Sequence, residues 1–500
     1  MTVELLKTFK AIQKKQKAYQ LVLSIASWDS NTEAPKNAIP YRAEMLSVIS
    51  GESFSLATSK DYQDAVYGLY EDKDNLDLQT RKEVEKAKRS LDKIVKIPKE
   101  EYVAYYKLIN ISEKIWEEAK EKDDYELFKP YLKEIIEAQK KMIAYRGYTK
   151  DVYDVLLDDY EEGMSKALYD DFFNTIKTEL VPFVKEVLKQ KPENKPGFIT
   201  DDYEEDDQKR FVEYLMDVFN YDLDRGVLKK SVHPFTWNTH SQDVRFTVRY
   251  LKDFVFSSIF AGIHELGHAL YEQQIDEALD TTNLNTGTSM GMHESQSRFY
   301  ENMIGRSKAF WETNFDQFKA LFPKQLEGVD VDDFYQAINW VEESFIRVEA
   351  DELTYPLHIL IRYEIERMIF EEDLDLETLP TIWNQKMKQY LNIEPQKASD
   401  GVLQDVHWSA GMFGYFPTYA LGSAYAAQIY YTLIEELDFE GLIKEGNIAT
   451  INAWLKEKIH HFGSLKKPRE ILKEITNEDF NPSYYVRYLK EKYQSLFIKE

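Results

Sequence analysis

Along most of the chain, apolar residues return every three or four positions among lysines and glutamates, the pattern of helices that bury one face. In residues 1–30, Leu5, Phe9, Ile12, Tyr19, Leu21 and Ile25 stand among lysines, which predicts a surface helix lying over other helices. From Thr80 to Gln139 the text is dense in Lys, Glu and Leu, with Pro98 between two helical blocks and Pro130 expected to start another. Their charged faces read as solvated. No heptad persists and no fixed-period repeat is visible, which argues against a coiled coil or a solenoid. The clear interruption is Lys189 to Asp207, with its prolines, a glycine and a block of acids, read as a loop or lobe boundary. After a return to helix over Phe211 to Phe219, the stretch from Arg225-Gly226 to Tyr250 partly alternates β-branched and aromatic residues with polar ones. That predicts a short hairpin or small sheet. From Asp253 onward the pattern is helical again, broken by loops near Asp280–Gly291, Asp373–Pro380 and Gly411–Pro417.

Composition narrows what such a chain does. Five hundred residues without an obvious linker suggest one large body, residues 1–500, with two lobes. A net charge of −25 and the lack of a basic stretch argue against nucleic acid. With no cysteine there are no disulfides, thiolate metal sites or thiol nucleophiles, so His, Asp and Glu are the strong ligands left. The N-terminus is a charged amphipathic helix without a signal peptide's apolar core, and no run approaches membrane-spanning length. A soluble, cytoplasmic protein is the expectation.

The chemistry centres on Phe254 to Gln274, which contains His264-Glu265-Leu266-Gly267-His268. On a helix the two histidines are one turn apart on one face, with Glu265 beside them. Two neutral nitrogens could hold a metal such as Zn²⁺ while Glu265 stays free as a general base for a water. The bland alternative is a helix with two buried, hydrogen-bonded histidines. Glu294 follows His268 by 26 residues, beyond the loop Asn285–Gly291, on a further helix expected to run to about Lys308. A His/His/Glu set with an open position is the pattern of a catalytic zinc. His293 is a competing ligand, but helical neighbours point about 100° apart. Glu294 is therefore favoured, with His293 supporting it or serving the fold.

HELGH together with His293-Glu294-Ser295-Gln296-Ser297 resembles the Taq-type zinc carboxypeptidases, and further family motifs stand in order around them. Asp243-Val-Arg245-Phe-Thr247 matches D-x-R-x-T, Ile346 to Asp351 matches I-R-x-x-A-D, and Gly401 to Trp408 matches G-x-x-Q-D-x-H-W. Trp28 to Thr32 and Leu156 to Ser165 are also similar to the family, while Ala34 stands where a methionine is expected before Pro35. The resemblance spans nearly the whole chain. It implies a mainly α-helical, two-lobed molecule with a deep groove and the metal at its floor, similar to neurolysin-like and angiotensin-converting enzymes. It also implies a homodimer that removes C-terminal residues from peptides with broad preference, using Zn²⁺ or Co²⁺.

In that setting Glu265 takes the proton of the attacking water and passes it to the leaving amine. The oxyanion needs a donor opposite the metal, for which Tyr419 and His407 are the leading candidates and Tyr415 the reserve. Simple packing is the competing explanation for any one of 34 tyrosines. A substrate carboxylate suits an arginine fork. Arg347 comes first for that role, and Arg245 and Arg249 second, although Arg347 stands four residues before Asp351 and a helical ion pair would explain it equally. A zinc endo- or oligopeptidase and a non-catalytic scaffold are the alternative readings.

Overall fold

The computed structural model describes residues 2–148 and 151–498, which form a mainly helical molecule with one three-stranded sheet. Among the described residues no helix is long and apolar enough to cross a membrane. The first helix, Thr2–Thr32, buries Phe9, Ile12 and Trp28 but leaves Leu21, Val22 and Ile25 exposed. Helices Lys60–Glu71 and Leu78–Asp92 complete a small apolar cluster with it, built from Phe9, Tyr62, Val66, Leu69, Val84 and Leu91. Ser59 and Asp77 open those two helices by accepting from the backbone N–H of Tyr62 and Thr80. Between the first helix and Lys60–Glu71 in the chain, helix Ile39–Ala57 buries none of its residues.

A second, far larger apolar cluster runs from Ile109 to Phe497, and Val187 and Phe211, on either side of the 189–207 connection, both belong to it. The contacts that tie the small cluster's helices to the rest include many polar ones. Lys17 Nζ reaches Asn285 Oδ1 at 2.7 Å, Lys86 Nζ reaches Ser464 Oγ at 2.9 Å, and Arg89 pairs with Asp158 at 2.9 Å. Trp28 adds an edge-on contact with Phe235, 5.6 Å between ring centres.

The sheet has the order β1-β3-β2, where β1 is Gly226–Lys230, β2 is Thr236–His240 and β3 is Asp243–Val248. β2 and β3 form the expected hairpin, and β1 adds in parallel on the far side of β3. The register pairs Thr236 with Phe246 and Asn238 with Val244, so these side chains share one face. That face meets the helix Val255–Gln273. Trp237 and Arg245 pair on the opposite face, where the Arg245 guanidinium lies over Trp28.

Two expectations are corrected. Pro130 does not start a helix but lies inside Tyr125–Arg146, whose first turn Asp124 caps at Glu126 N. The proline forgoes only the bond to the carbonyl of Glu126, in the first turn. Residues 339–354 and 392–406, read as helical, are irregular apart from a short 3₁₀ turn at Arg347–Glu349. Side chains satisfy their backbone instead. Asp351 accepts from the N–H of Leu353, Thr354 and Glu342, while Gln404 accepts from Arg347 N and donates to the carbonyls of Phe345 and Asp400.

Candidate active site

His264 and His268 project from one face of the helix Val255–Gln273, with ring centres 4.9 Å apart. Glu294 comes from the helix Met290–Arg298, opened by Ser289 capping Met292 N. Its Oε2 lies 3.6 Å from the Nε2 of each histidine, and the three ligand atoms fall within 4.8 Å of one another. Tetrahedral ligands at about 2.1 Å from a zinc ion stand about 3.4 Å apart, near the 3.6 Å separations of Glu294 from each histidine, so the donor set suits a divalent cation. Arg298 Nε holds the other oxygen, Oε1, at 2.7 Å. Against the burial that opposes charge, Arg298 and the two histidines keep Glu294 well below the usual carboxylate range. Burial presses His268 down to about 3, which leaves its imidazole neutral and its lone pair free.

Two glycines bring these elements close enough. A Cβ on Gly267, inside HELGH, would stand 2.7 Å from Ser297 Cα and 2.9 Å from Gln296 O, so the two ligand-bearing helices touch backbone to backbone there. On the helix Phe416–Glu436, a Cβ on Gly422 would stand 2.5 Å from Glu294 Cγ. The helix of Glu294 is thus held between two side-chain-free surfaces. Tyr419, one turn before Gly422, projects from the same face of its helix toward the carboxylate. The helix of Glu294 does not run unbroken to Lys308 but widens into a π-helical segment at Phe299–Gly305, an irregularity common at functional sites. That segment carries Glu301, whose Oε2 is 3.0 Å from His264 Nδ1 and whose charge Arg298 and Arg306 hold.

Glu265 is buried beside this trio, with its carboxyl pushed up by burial. Its Oε2 accepts from the hydroxyl of Thr236 on β2 at 2.6 Å. β2 is the outer strand of the sheet, and the residues at its end, Asn238, Thr239 and His240, line a cavity of about 580 Å³. Helices Thr2–Thr32 and Leu78–Asp92 close that cavity from the other side. A second cavity of about 840 Å³ continues from it past Lys86 and Ser90 to Tyr160 and Ser289.

The stretch after Gly401 gathers the other candidates. His407 Nε2 lies 3.1 Å from Tyr419 OH, and the rings of Tyr415 and Tyr419 stand edge-on at 5.0 Å. His407 Nδ1 is buried without a partner, and burial presses this histidine down to about 3. Glu294 is among the charges that raise the Tyr419 hydroxyl, after burial and the neighbouring tyrosines. Arg347 does not pair with Asp351, because its residues form a 3₁₀ turn rather than an α-helix. Its Nε and one terminal nitrogen reach Asp405 Oδ1 at 3.0 and 2.9 Å, its other terminal nitrogen donates to Tyr355 OH, and its guanidinium lies 4.9 Å from the Tyr419 ring centre. Asp405 Oδ2 takes the fully buried Arg362 at 2.6 Å.

The structure therefore brings His264, Glu265, His268 and Glu294 together, and sets His407, Tyr415, Tyr419 and Arg347 in a second group. Arg245 stands apart from the first, on the sheet face turned away from the His264 helix and held by Asp243 at 2.6 Å. His293 lies behind His268, 2.6 Å between their Nδ1 atoms. The pattern reading missed Thr236, Arg298, Glu301 and both close-approach glycines. Arg298, four residues after Glu294 on a helix, was the one with a local signal.

The model of the carboxypeptidase Taq (M32) metallopeptidase family matches residues 8–493. The chain is 45% identical over 493 residues to carboxypeptidase 1 of Bacillus subtilis strain 168, covering 98% of each. Among solved structures it resembles the Pyrococcus furiosus carboxypeptidase, with TM-score 0.94 and 37% identity over 98% of this chain and 99% of that one. It also resembles the M32 carboxypeptidase of Deinococcus radiodurans R1, with TM-score 0.95 and 29% identity over 99% of each.

Proposed function

Because the chain belongs to the carboxypeptidase Taq (M32) metallopeptidase family and is a peptide-hydrolysing metallocarboxypeptidase, we propose that His264, His268 and Glu294 hold its metal, that the metal is one zinc ion, and that Glu265 is the general base. The endopeptidase and scaffold alternatives fall with that membership. The observation that carries the assignment is the single Glu294 oxygen facing both histidine Nε2 atoms at 3.6 Å. When bound, the cation supplies Lewis-acid polarisation of the scissile carbonyl and acidifies a water.

The chain's own groups do the rest. The peptide adds as a strand along the outer edge of β2, its backbone hydrogen bonds aligning it above Thr236 and Glu265. Glu265 removes a proton from the attacking water and delivers it to the departing amine. Tyr419 donates its hydroxyl proton to the developing oxyanion. For that, His407 must give its Nε2 proton to the tyrosine oxygen rather than take one. The partnerless Nδ1 of His407 supports this tautomer, since an Nδ1 lone pair needs no acceptor. Tyr415 lines the pocket beside it.

The free C-terminus of the substrate is received by Arg347. Arg347 and Arg362 share one carboxylate, that of Asp405, so the group keeps a positive charge to offer an anion. The test compares one peptide with a free C-terminus against its amidated twin. The amide should be cleaved about ten- to a hundredfold more slowly, the loss of one charge-assisted contact. Equal rates would refute carboxylate recognition.

We also propose that the homodimer forms on the helix Ile39–Ala57. This helix exposes Ile39, Tyr41, Met45 and Val48 and buries nothing, and it packs beside the exposed Leu21, Val22 and Ile25. Such an apolar surface is characteristic of an interface. Light scattering should give a dimeric mass for the parent and a monomeric mass for a Tyr41→Asp/Val48→Asp variant. A parent that is monomeric, or a variant that stays dimeric, would contradict the assignment.

A further inference from the structure

Behind His268 lies a chain of hydrogen bonds that ends on a carboxylate with no lysine or arginine in direct contact among the described residues, the positive charge it feels being that of buried Lys86. His268 Nδ1 is 2.6 Å from His293 Nδ1, and His293 Nε2 is 2.8 Å from Glu272 Oε1. Glu272 is 2% exposed, and among the described residues no lysine or arginine pairs with it. A buried carboxylate of this kind is costly unless its hydrogen bonds compensate. Here they do. Oε1 also accepts from Thr286 Oγ1 and Gly287 N, both at 2.9 Å, and Oε2 accepts from Asn238 Nδ2 at 2.6 Å.

Because an ionised carboxylate only accepts, it fixes the direction of everything upstream. His293 must present its Nε2 proton to Glu272, which leaves His293 Nδ1 as a lone pair. His268 must then carry its proton on Nδ1, and its Nε2 lone pair is left pointing at Glu294. A ring that can bind a cation only through Nε2 needs that tautomer and that orientation. We infer that Glu272 is a positioning residue that acts through His293 to set the tautomer and ring orientation of His268. The inference rests on the reading of His264, His268 and Glu294 as metal ligands.

The geometry adds a second duty. Glu272 lies seven residues after Glu265 on the same helix, two turns along one face, and β2 contacts both. Thr236 reaches Glu265 and Asn238 reaches Glu272. The carboxylate that orients His268 therefore also clamps the strand against which a peptide is laid and the Thr286-Gly287 loop.

The test measures Zn²⁺ affinity of the full chain by competition with a chromophoric chelator, the visible spectrum of the Co²⁺-loaded forms, and the melting temperature of the metal-free forms. The variants are Glu272→Ala, Glu272→Gln, His293→Phe and His268→Ala. Glu272→Ala and His293→Phe should weaken Zn²⁺ about 10- to 100-fold, the usual effect of removing a group that orients a ligand, and shift the Co²⁺ bands. Glu272→Gln should recover part of the affinity, because its amide oxygen still accepts from His293 once Asn238 turns its own amide. If Glu272→Ala does not fold, Glu272→Gln and His293→Phe carry the comparison. Parent affinity and spectrum in both of these with only a lower melting temperature, or Glu272→Gln no better than a folded Glu272→Ala, would overturn the inference. Parent affinity in His268→Ala would instead overturn the metal assignment on which it rests.

Discussion

Glu265→Gln lowers turnover on the order of 10³-fold while the protein keeps its metal. The carboxylate takes no part in the His264, His268 and Glu294 cup, so the substitution leaves the ligand atoms in place. It is also nearly isosteric, and the amide oxygen can still accept from Thr236, which lies 2.6 Å from the present Oε2. What is lost is the proton acceptor, and general base catalysis is worth about 10²–10⁴ in rate. Turnover and elemental analysis on the same preparation decide it. One zinc per chain with a collapsed rate is the expected pair of values. A zinc-loaded variant that turns over near the parent rate would remove Glu265 from the mechanism, and a different stoichiometric metal in the parent would remove zinc.

The second large effect is on stability. Asp405→Ala should cost about 3–5 kcal/mol, because it leaves the guanidinium groups of Arg347 and Arg362 buried without their shared carboxylate. The two arginines hold Asp405 well below the ordinary carboxylate range, with burial opposing them. Asp405→Asn, which keeps the shape and two acceptor directions, should lose less. Chemical denaturation of the metal-free protein reads the difference. A loss below about 1 kcal/mol for the alanine variant would mean that water or other oxygens compensate the guanidinium groups.

These groups also divide what the sequence makes legible from what it hides. HELGH is legible because a helix turns a four-residue spacing into one face, and Glu294 because a catalytic zinc needs a third ligand within reach of a short loop. The helical majority of the chain and the position of the sheet were legible from periodicity for the same local reason. Arg347 was not. The acid four residues on, Asp351, is occupied by backbone N–H groups, and the real partner of Arg347 is 58 residues away. Glu301 escaped because it sits inside a π-helical widening, and Glu272 because its partners come from β2, a loop and another helix. Gly267 and Gly422 carried no signal at all. Their meaning is the absence of an atom where another helix passes, which only the assembled packing reveals.

The outer edge of β2 has a further consequence. An open strand edge is a template on which any extended chain can pair, including a second copy of the same protein, and exposed edges of this kind seed aggregation. Here the edge faces a roofed cavity of about 580 Å³ closed by helices Thr2–Thr32 and Leu78–Asp92. Room for one strand is not room for a sheet. On the proposed reading in which a peptide adds to this edge, the same roof that shields the protein from polymerising also favours substrates that arrive as single extended chains.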